Sequence, residues 1–204
     1  MIDSFRIVAA FSAAAYVAGA AVAQPVPDTS PEAAGKSTSA MTDHVTRLQA
    51  TRLSNGERVA TSGKPLFGYS DAARIIADGG IWAWGSEGRP VAMAKVWKNS
   101  NGTRTCAFSL TSAERVVVHG PEFKTWQPEQ IQVEPSRLND APAAEQQNAN
   151  RLRQLKEQAR RFTAHEFWNP DNSRFELRLL AQPVHRYQDE KRDIVDGAVF
   201  LLAI

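Results

Sequence analysis

The sequence predicts an α+β domain: a mostly antiparallel sheet, made of a three-stranded meander and a C-terminal strand pair, packed against one long helix. Three observations carry that reading. Between 81 and 110, strand-like apolar runs are separated by hairpin-length turns. From Leu152 to Phe162, apolar residues recur at three- and four-residue spacing. Beyond the helix, Arg174 to Leu179 alternates as a half-buried strand, and a continuous apolar run, Ala198 to Ile204, follows. Strand, strand, strand, helix, strand, strand with short connections is the order of an antiparallel sheet covered by a helix.

The elements follow from the N-terminus. Ile7 to Ala23 is a weakly polar, alanine-rich run behind Arg6, and Ala21-Val22-Ala23 offers small residues at the cleavage position. Residues 1–23 therefore read as a signal peptide cleaved after Ala23. The chain would meet a membrane only if that segment stayed uncleaved. Residues 24–44 are rich in Pro, Ser, Thr and Ala without apolar period, the composition of a flexible leader. Residues 45–204 are then expected to form a single domain, with a native C-terminal extension possible beyond Ile204.

Val45 to Arg52 allows a short helix before the turn at Ser54-Asn55-Gly56. Ser70 stands where an N-cap would, ahead of a helical stretch Asp71 to Ala77 that Asp78-Gly79-Gly80 would end. The meander comprises Ile81–Gly85, Val91–Trp97 and Thr103–Leu110, joined by Ser86-Glu87-Gly88-Arg89 and Asn99-Ser100-Asn101-Gly102. Arg115 to His119 forms one more short strand, and Pro121 to Pro135 reads as an ordered loop around Trp126. The long helix is expected from Asp140, with Pro142 in its first turn, to about Thr163. In the strand after it, Phe175, Leu177 and Leu179 point inward.

Charge and cysteine narrow the function. Lys and Arg number 24 against 22 Asp and Glu, a net +2, too little for the basic footprint of a nucleic-acid binder. Signal removal takes one Arg and one Asp, so the balance is unchanged. The single cysteine, Cys106, lies far from the cleavage point, which excludes a lipoprotein anchor. It also excludes an internal disulfide and a cysteine-rich metal site. Cys106, Phe108 and Leu110 share one strand face, so the thiol is expected in the core.

No complete catalytic signature is present. His44, His119, His165 and His185 match no ligand spacing. His165-Glu166-Phe167-Trp168-Asn169 has Asn where the second histidine of H-E-x-x-H belongs. No G-x-S-x-G elbow occurs. No metal or cofactor is expected. Trp82, Trp84 and Trp97, on neighbouring strands, either fill the sheet–helix interface or form an exposed aromatic platform for a glycan or peptide.

Some blocks are more distinctive: Tyr69-Ser70-Asp71 with Arg74, Trp84 to Pro90, Phe108-Ser109-Leu110, Arg160 to Ala164, Glu176 to Pro183 with Arg186-Tyr187, and Asp196-Gly197-Ala198. Through these the chain from Leu66 onward resembles an uncharacterised secreted protein family of planctomycete-type bacteria. That resemblance implies an exported fold and no assigned activity or catalytic residues. In that family another apolar strand usually follows the Asp-Gly-Ala element.

The function expected is that of an exported, periplasmic or secreted binding module for a protein or glycan partner. Its candidate binding residues are Trp82, Trp84, Trp97, Arg74, Glu87, Arg89, Tyr187 and Asp196. A hydrolase of envelope material would need Arg74, Glu87, Arg89, Tyr187 and Asp196 to converge in one cleft. A self-assembling envelope component is the third class.

Overall fold

The structure is a computed structural model. It describes residues 6–7, 40–71, 74–85, 87–121, 125–128, 133, 136–138, 140–168 and 171–203. The segment expected as a signal peptide, apart from Arg6–Ile7 (β1), and the expected leader up to residue 39 lie outside the described residues, whereas 40–44, expected within that leader, are helical. The fold is mostly antiparallel sheet with few helices, as an α+β chain should be. It is not one long helix on a meander. The stretch expected as a single domain falls into two compact units, one within Ala20–Glu134 and one within Pro135–Ile204.

In the first unit residues 40–46 are helical (α1) and Gln49–Arg52 (β2), Arg58–Val59 (β3), Phe67–Asp71 (β4), Ile76–Trp84 (β5), Ala92–Lys98 (β6), Arg104–Leu110 (β7) and Val116–His119 (β8) are strands. The order β4-β5-β6-β7 forms one antiparallel ladder and β3-β2-β8 another. The expected meander is β5-β6-β7, with Gly102 at φ 83° in its second turn. One face of the ladder carries Trp82, Trp84, Ala92, Ala94, Val96 and Leu110. These pack with Met41, Val45 and Leu48 into one core. Cys106 and Phe108 lie against that core as expected, and the Cys106 thiol sits 3.6 Å from Nε2 of buried His44.

The helix expected over 71–77 is instead the turn of a hairpin. Asp71 caps that turn: its Oδ1 accepts the Arg74 N–H at 3.1 Å, and its carboxylate pairs with the Arg74 guanidinium. Ile75 then takes a left-handed φ of 56°. Asp78-Gly79-Gly80 falls inside β5, because the glycines make room for rings. A Cβ at Gly79 would lie 2.4 Å from Cζ of Tyr69, on the opposite strand.

The second unit holds Ser136–Arg137 (β9), which pairs with β1, then Asn148–Ala159 (α2) and five strands: Ala164–Trp168 (β10), Ser173–Leu179 (β11), His185–Asp189 (β12), Ile194–Val199 (β13) and Leu202–Ala203 (β14). The helix spans 12 residues, shorter than expected. Residues 140–147 stay irregular because buried Gln154 serves their backbone. Its Oε1 accepts the Glu145 N–H at 3.0 Å and its amide donates to Ala143 O at 2.9 Å. Leu155 and Ala159 are buried on the apolar stripe, with Leu152 and Phe162 half-buried. Ladders run β10-β11-β14 and β12-β13. The terminal apolar run, expected covered on both faces, is half-exposed and is interrupted at Phe200-Leu201.

The two units repeat one design. Tyr69-x-Asp71-x-x-Arg74-x-Ile76-x-Asp78-Gly79 recurs as Tyr187-x-Asp189-x-x-Arg192-x-Ile194-x-Asp196-Gly197. In each hairpin the Tyr pairs with the Gly, the Asp pairs with the Ile, and a bulge lies between Tyr and Asp. Both aspartates pair with their arginines. The residue after each Arg is left-handed, Ile75 at φ 56° and Asp193 at φ 54°. Both glycines sit under the Tyr ring, Cζ being 2.4 Å from a built Cβ in each.

The match extends outward. Leu66 N–H donates to Ile81 O as Val184 N–H does to Val199 O, and Ser62 N–H donates to Ala83 O as Leu180 N–H does to Leu201 O. Thr61 bridges Trp84 as Leu179 pairs with Leu202. Upstream, Met41, His44 and Val45 are buried at the spacing of Leu155, Gln158 and Ala159. Each helix leads into a hairpin, where Ala50 pairs with Val59 and Ala164 with Leu177. The signature is legible in the sequence once the halves are compared.

Candidate functional site

The tryptophans do not form a platform. Trp82 and Trp84 are 1% and 0% exposed on the face toward α1. Trp97 pairs with Gly79 and so stands on the opposite face of the sheet, 4% exposed. Its indole N–H donates to Asn99 Oδ1 at 3.1 Å. Arg89 is also interior: Nε and Nη2 donate to Thr111 O at 3.2 and 2.8 Å, tying the β5–β6 connection to the end of β7. Glu87 is exposed on that connection. Arg74 lies at the other end of nine-residue β5, roughly 27 Å away at about 3.3 Å per residue.

In the second unit Tyr187 covers Gly197. The Asp196 carboxylate accepts from Arg151 Nε at 3.2 Å and from Arg186 Nε at 3.3 Å, with a further contact to Arg186 Nη2, which also reaches Asn148. This cluster ties α2 to β12 and β13. Of the polar residues proposed for hydrolysis, Arg74, Arg89, Tyr187 and Asp196 hold turns and strands together, Glu87 is exposed, and within neither unit do they converge on a cleft. Among the described residues no three His, Cys, Asp or Glu side chains gather as a metal-binding group.

Asp71 illustrates such a turn. Burial works against its ionisation, but the Arg74 hydrogen bonds and charge, with Lys95, outweigh burial and hold its carboxyl below the ordinary value. A depressed folded pKa stabilises the fold above the unfolded value of about 3.9, and that contribution is lost as pH falls through the folded pKa. Asp71→Asn is therefore expected to flatten the loss of stability below about pH 4. Urea denaturation of both proteins at a series of pH values measures it; parallel curves would contradict the assignment.

Two exposed aromatic side chains lie elsewhere, on the β10–β11 hairpin. Five pairs join its strands, from Ala164 with Leu177 to Trp168 with Ser173, whereas its counterpart β2–β3 has two. Phe167 is 55% and Phe175 40% exposed. Phe167 pairs with Arg174 and Phe175 with Glu166, so the two rings stand on opposite faces. The inward position expected for Phe175 is thus corrected: α2 ends at Ala159 and the hairpin extends past the core. His165 packs edge-on against Phe167, centroids 5.2 Å apart, and Arg174 pairs with Glu176 at 2.6 Å. Asp171 Oδ1 accepts the Ser173 N–H at 2.9 Å, and Asn172 is left-handed at φ 55°, which together close the turn. Phe167 after Glu166, and Phe175 between Arg174 and Glu176, were the available signal.

A cleft of about 330 Å³ lies beside the last turn of α2, lined by Lys156, Arg160, Leu179, Leu180 and Ala181. Its cations also answer the negative end of the helix dipole. No family model, no curated protein and no solved structure matches this chain.

Proposed function

We propose that this protein is an exported binding module that engages a protein partner through the β10–β11 hairpin. The observation that carries the reading is the exposure of Phe167 and Phe175 on opposite faces of one projecting strand pair. Beyond its short pairing with β14 the hairpin is two-stranded, and burying aromatic rings on both faces against a partner adds what such a pair lacks. Aromatic side chains ringed by Arg, Glu and His match the composition of contact surfaces. Export is supported by the Ile7–Ala23 run and its small residues before Gln24.

The test compares two baits in affinity capture from an extracellular or periplasmic extract, the native chain and the Phe167→Ser/Phe175→Ser double variant. A protein captured by the first and depleted at least about tenfold with the second is the expected result. Equal capture by both, with the variant shown folded by circular dichroism, would remove the hairpin from the binding surface.

A further inference from the structure

The duplicated unit is not equally sheathed in its two copies. In the first, β5 has β4 along one edge and β6 along the other, paired from Gly79 with Trp97 to Trp84 with Ala92. In the second, β13 pairs with β12 on the edge corresponding to β4, and β14 pairs with β11 on that same side. Among the described residues no strand pairs with the edge of β13 that corresponds to β6. β1 lies against β13 without pairing to it, and the strand itself carries few of the usual protections. Ile194–Val199 contains no proline or lysine, Val195 is 55% exposed, and the one charge, Asp196, is drawn onto Arg151 and Arg186.

We propose that the segment from Gly197 to Leu202, the end of β13 and the start of β14, accepts an antiparallel strand donated by another polypeptide, with small apolar residues at alternate positions. The first copy supplies the template. Ala94 and Ala92, both 0% exposed, pair with Trp82 and Trp84 and leave room for the indoles on the core face. Phe200 and Leu202 occupy the matching places in the second copy and are half-exposed. The same registers in β4–β5 and β12–β13 put the backbone groups of Gly197, Ala198 and Val199, at the end of β13, where those of Gly79, Gly80 and Ile81 meet β6. Main-chain hydrogen bonds give affinity in this mode and the alternate side chains give selectivity. The inference stands apart from the hairpin surface and does not depend on it.

The probe is a synthetic peptide copying residues 91–98, Val-Ala-Met-Ala-Lys-Val-Trp-Lys, added to the full chain and followed by amide hydrogen exchange. The expected result is saturable slowing, by about tenfold or more, centred on Gly197–Leu202. The same peptide carrying Ala94→Pro should have no such effect, since proline removes a ladder donor. No slowing there, or equal slowing by the proline peptide, overturns the proposal. Slowing that depends on protein concentration without peptide, with a dimer in light scattering, also overturns it by assigning the edge to a second copy.

Discussion

Trp84→Ala is expected to lower the unfolding free energy by about 3–5 kcal/mol. The side chain is fully buried, its ring lies 5.9 Å from that of Phe108, and Phe108 lies 4.9 Å from Trp126. Truncation leaves a void bounded by residues from several strands, none of which can fill it without breaking its own ladder. Trp84→Phe separates packing from polarity. The indole Nε1 is buried with no hydrogen-bond partner, so phenylalanine removes an unpaired donor while keeping most of the ring. Its cost should stay below about 1.5 kcal/mol. Urea denaturation of the three proteins checks both numbers; similar losses for Ala and Phe would mean that volume is not what Trp84 contributes.

Gly80→Ala is expected to destabilise by about 1–3 kcal/mol, at the upper end of overpacking for a single methyl. The added Cβ would come within 2.6 Å of Cη2 and Cζ3 of Trp82, and Pro65 Cβ stands 3.3 Å off. Trp82 is 1% exposed and so has no free space into which to turn. The second copy supplies the control. Its counterpart position is Ala198, followed by Phe200 in place of Trp82, and there the smaller ring accommodates the methyl. Ala198→Gly should therefore cost only about 0.5–1 kcal/mol, as a glycine in a strand does. Thermal melts of both variants decide it: comparable shifts would show that ring size is not the reason for the glycine.

What the sequence made legible was the part built on apolar patterning. Apolar runs between turns located β5, β6 and β7, alternation located β11, and three- and four-residue spacing located α2. The missed strands lack those patterns. In β4, Phe-Gly-Tyr-Ser-Asp carries two glycine or serine positions among five residues, and β12, His-Arg-Tyr-Gln-Asp, has no aliphatic side chain at all. Ser70-Asp71 offered a helix cap on paper. Asp71 caps a hairpin turn instead, since the same carboxylate serves either, and only the ring over Gly79 discriminates between them. The exposure of the aromatic residues was open for the tryptophans and misread for Phe175 for a related reason. Their positions along the strands were legible, but exposure depends on where the helix above them stops. Trp84 lies under α1 and its partners, whereas Phe175 extends past the end of α2.

The matched hairpins have a consequence for how this chain reaches its native state. Each unfolded molecule carries two strands of the β4 kind and two of the β5 kind, with the same register and the same bulge, so every such strand has a right and a wrong partner in its own chain. Repeat proteins misassemble by this route. Proximity in sequence favours the correct hairpins, which close early across short turns. The divergent residues supply the second safeguard. A β4–β13 pairing would set Gly68 where Arg186 belongs and leave Asp196 with Arg151 alone. The arginine cluster on Asp196 thus favours the native β12–β13 hairpin over a pairing that the backbone alone would treat as the same.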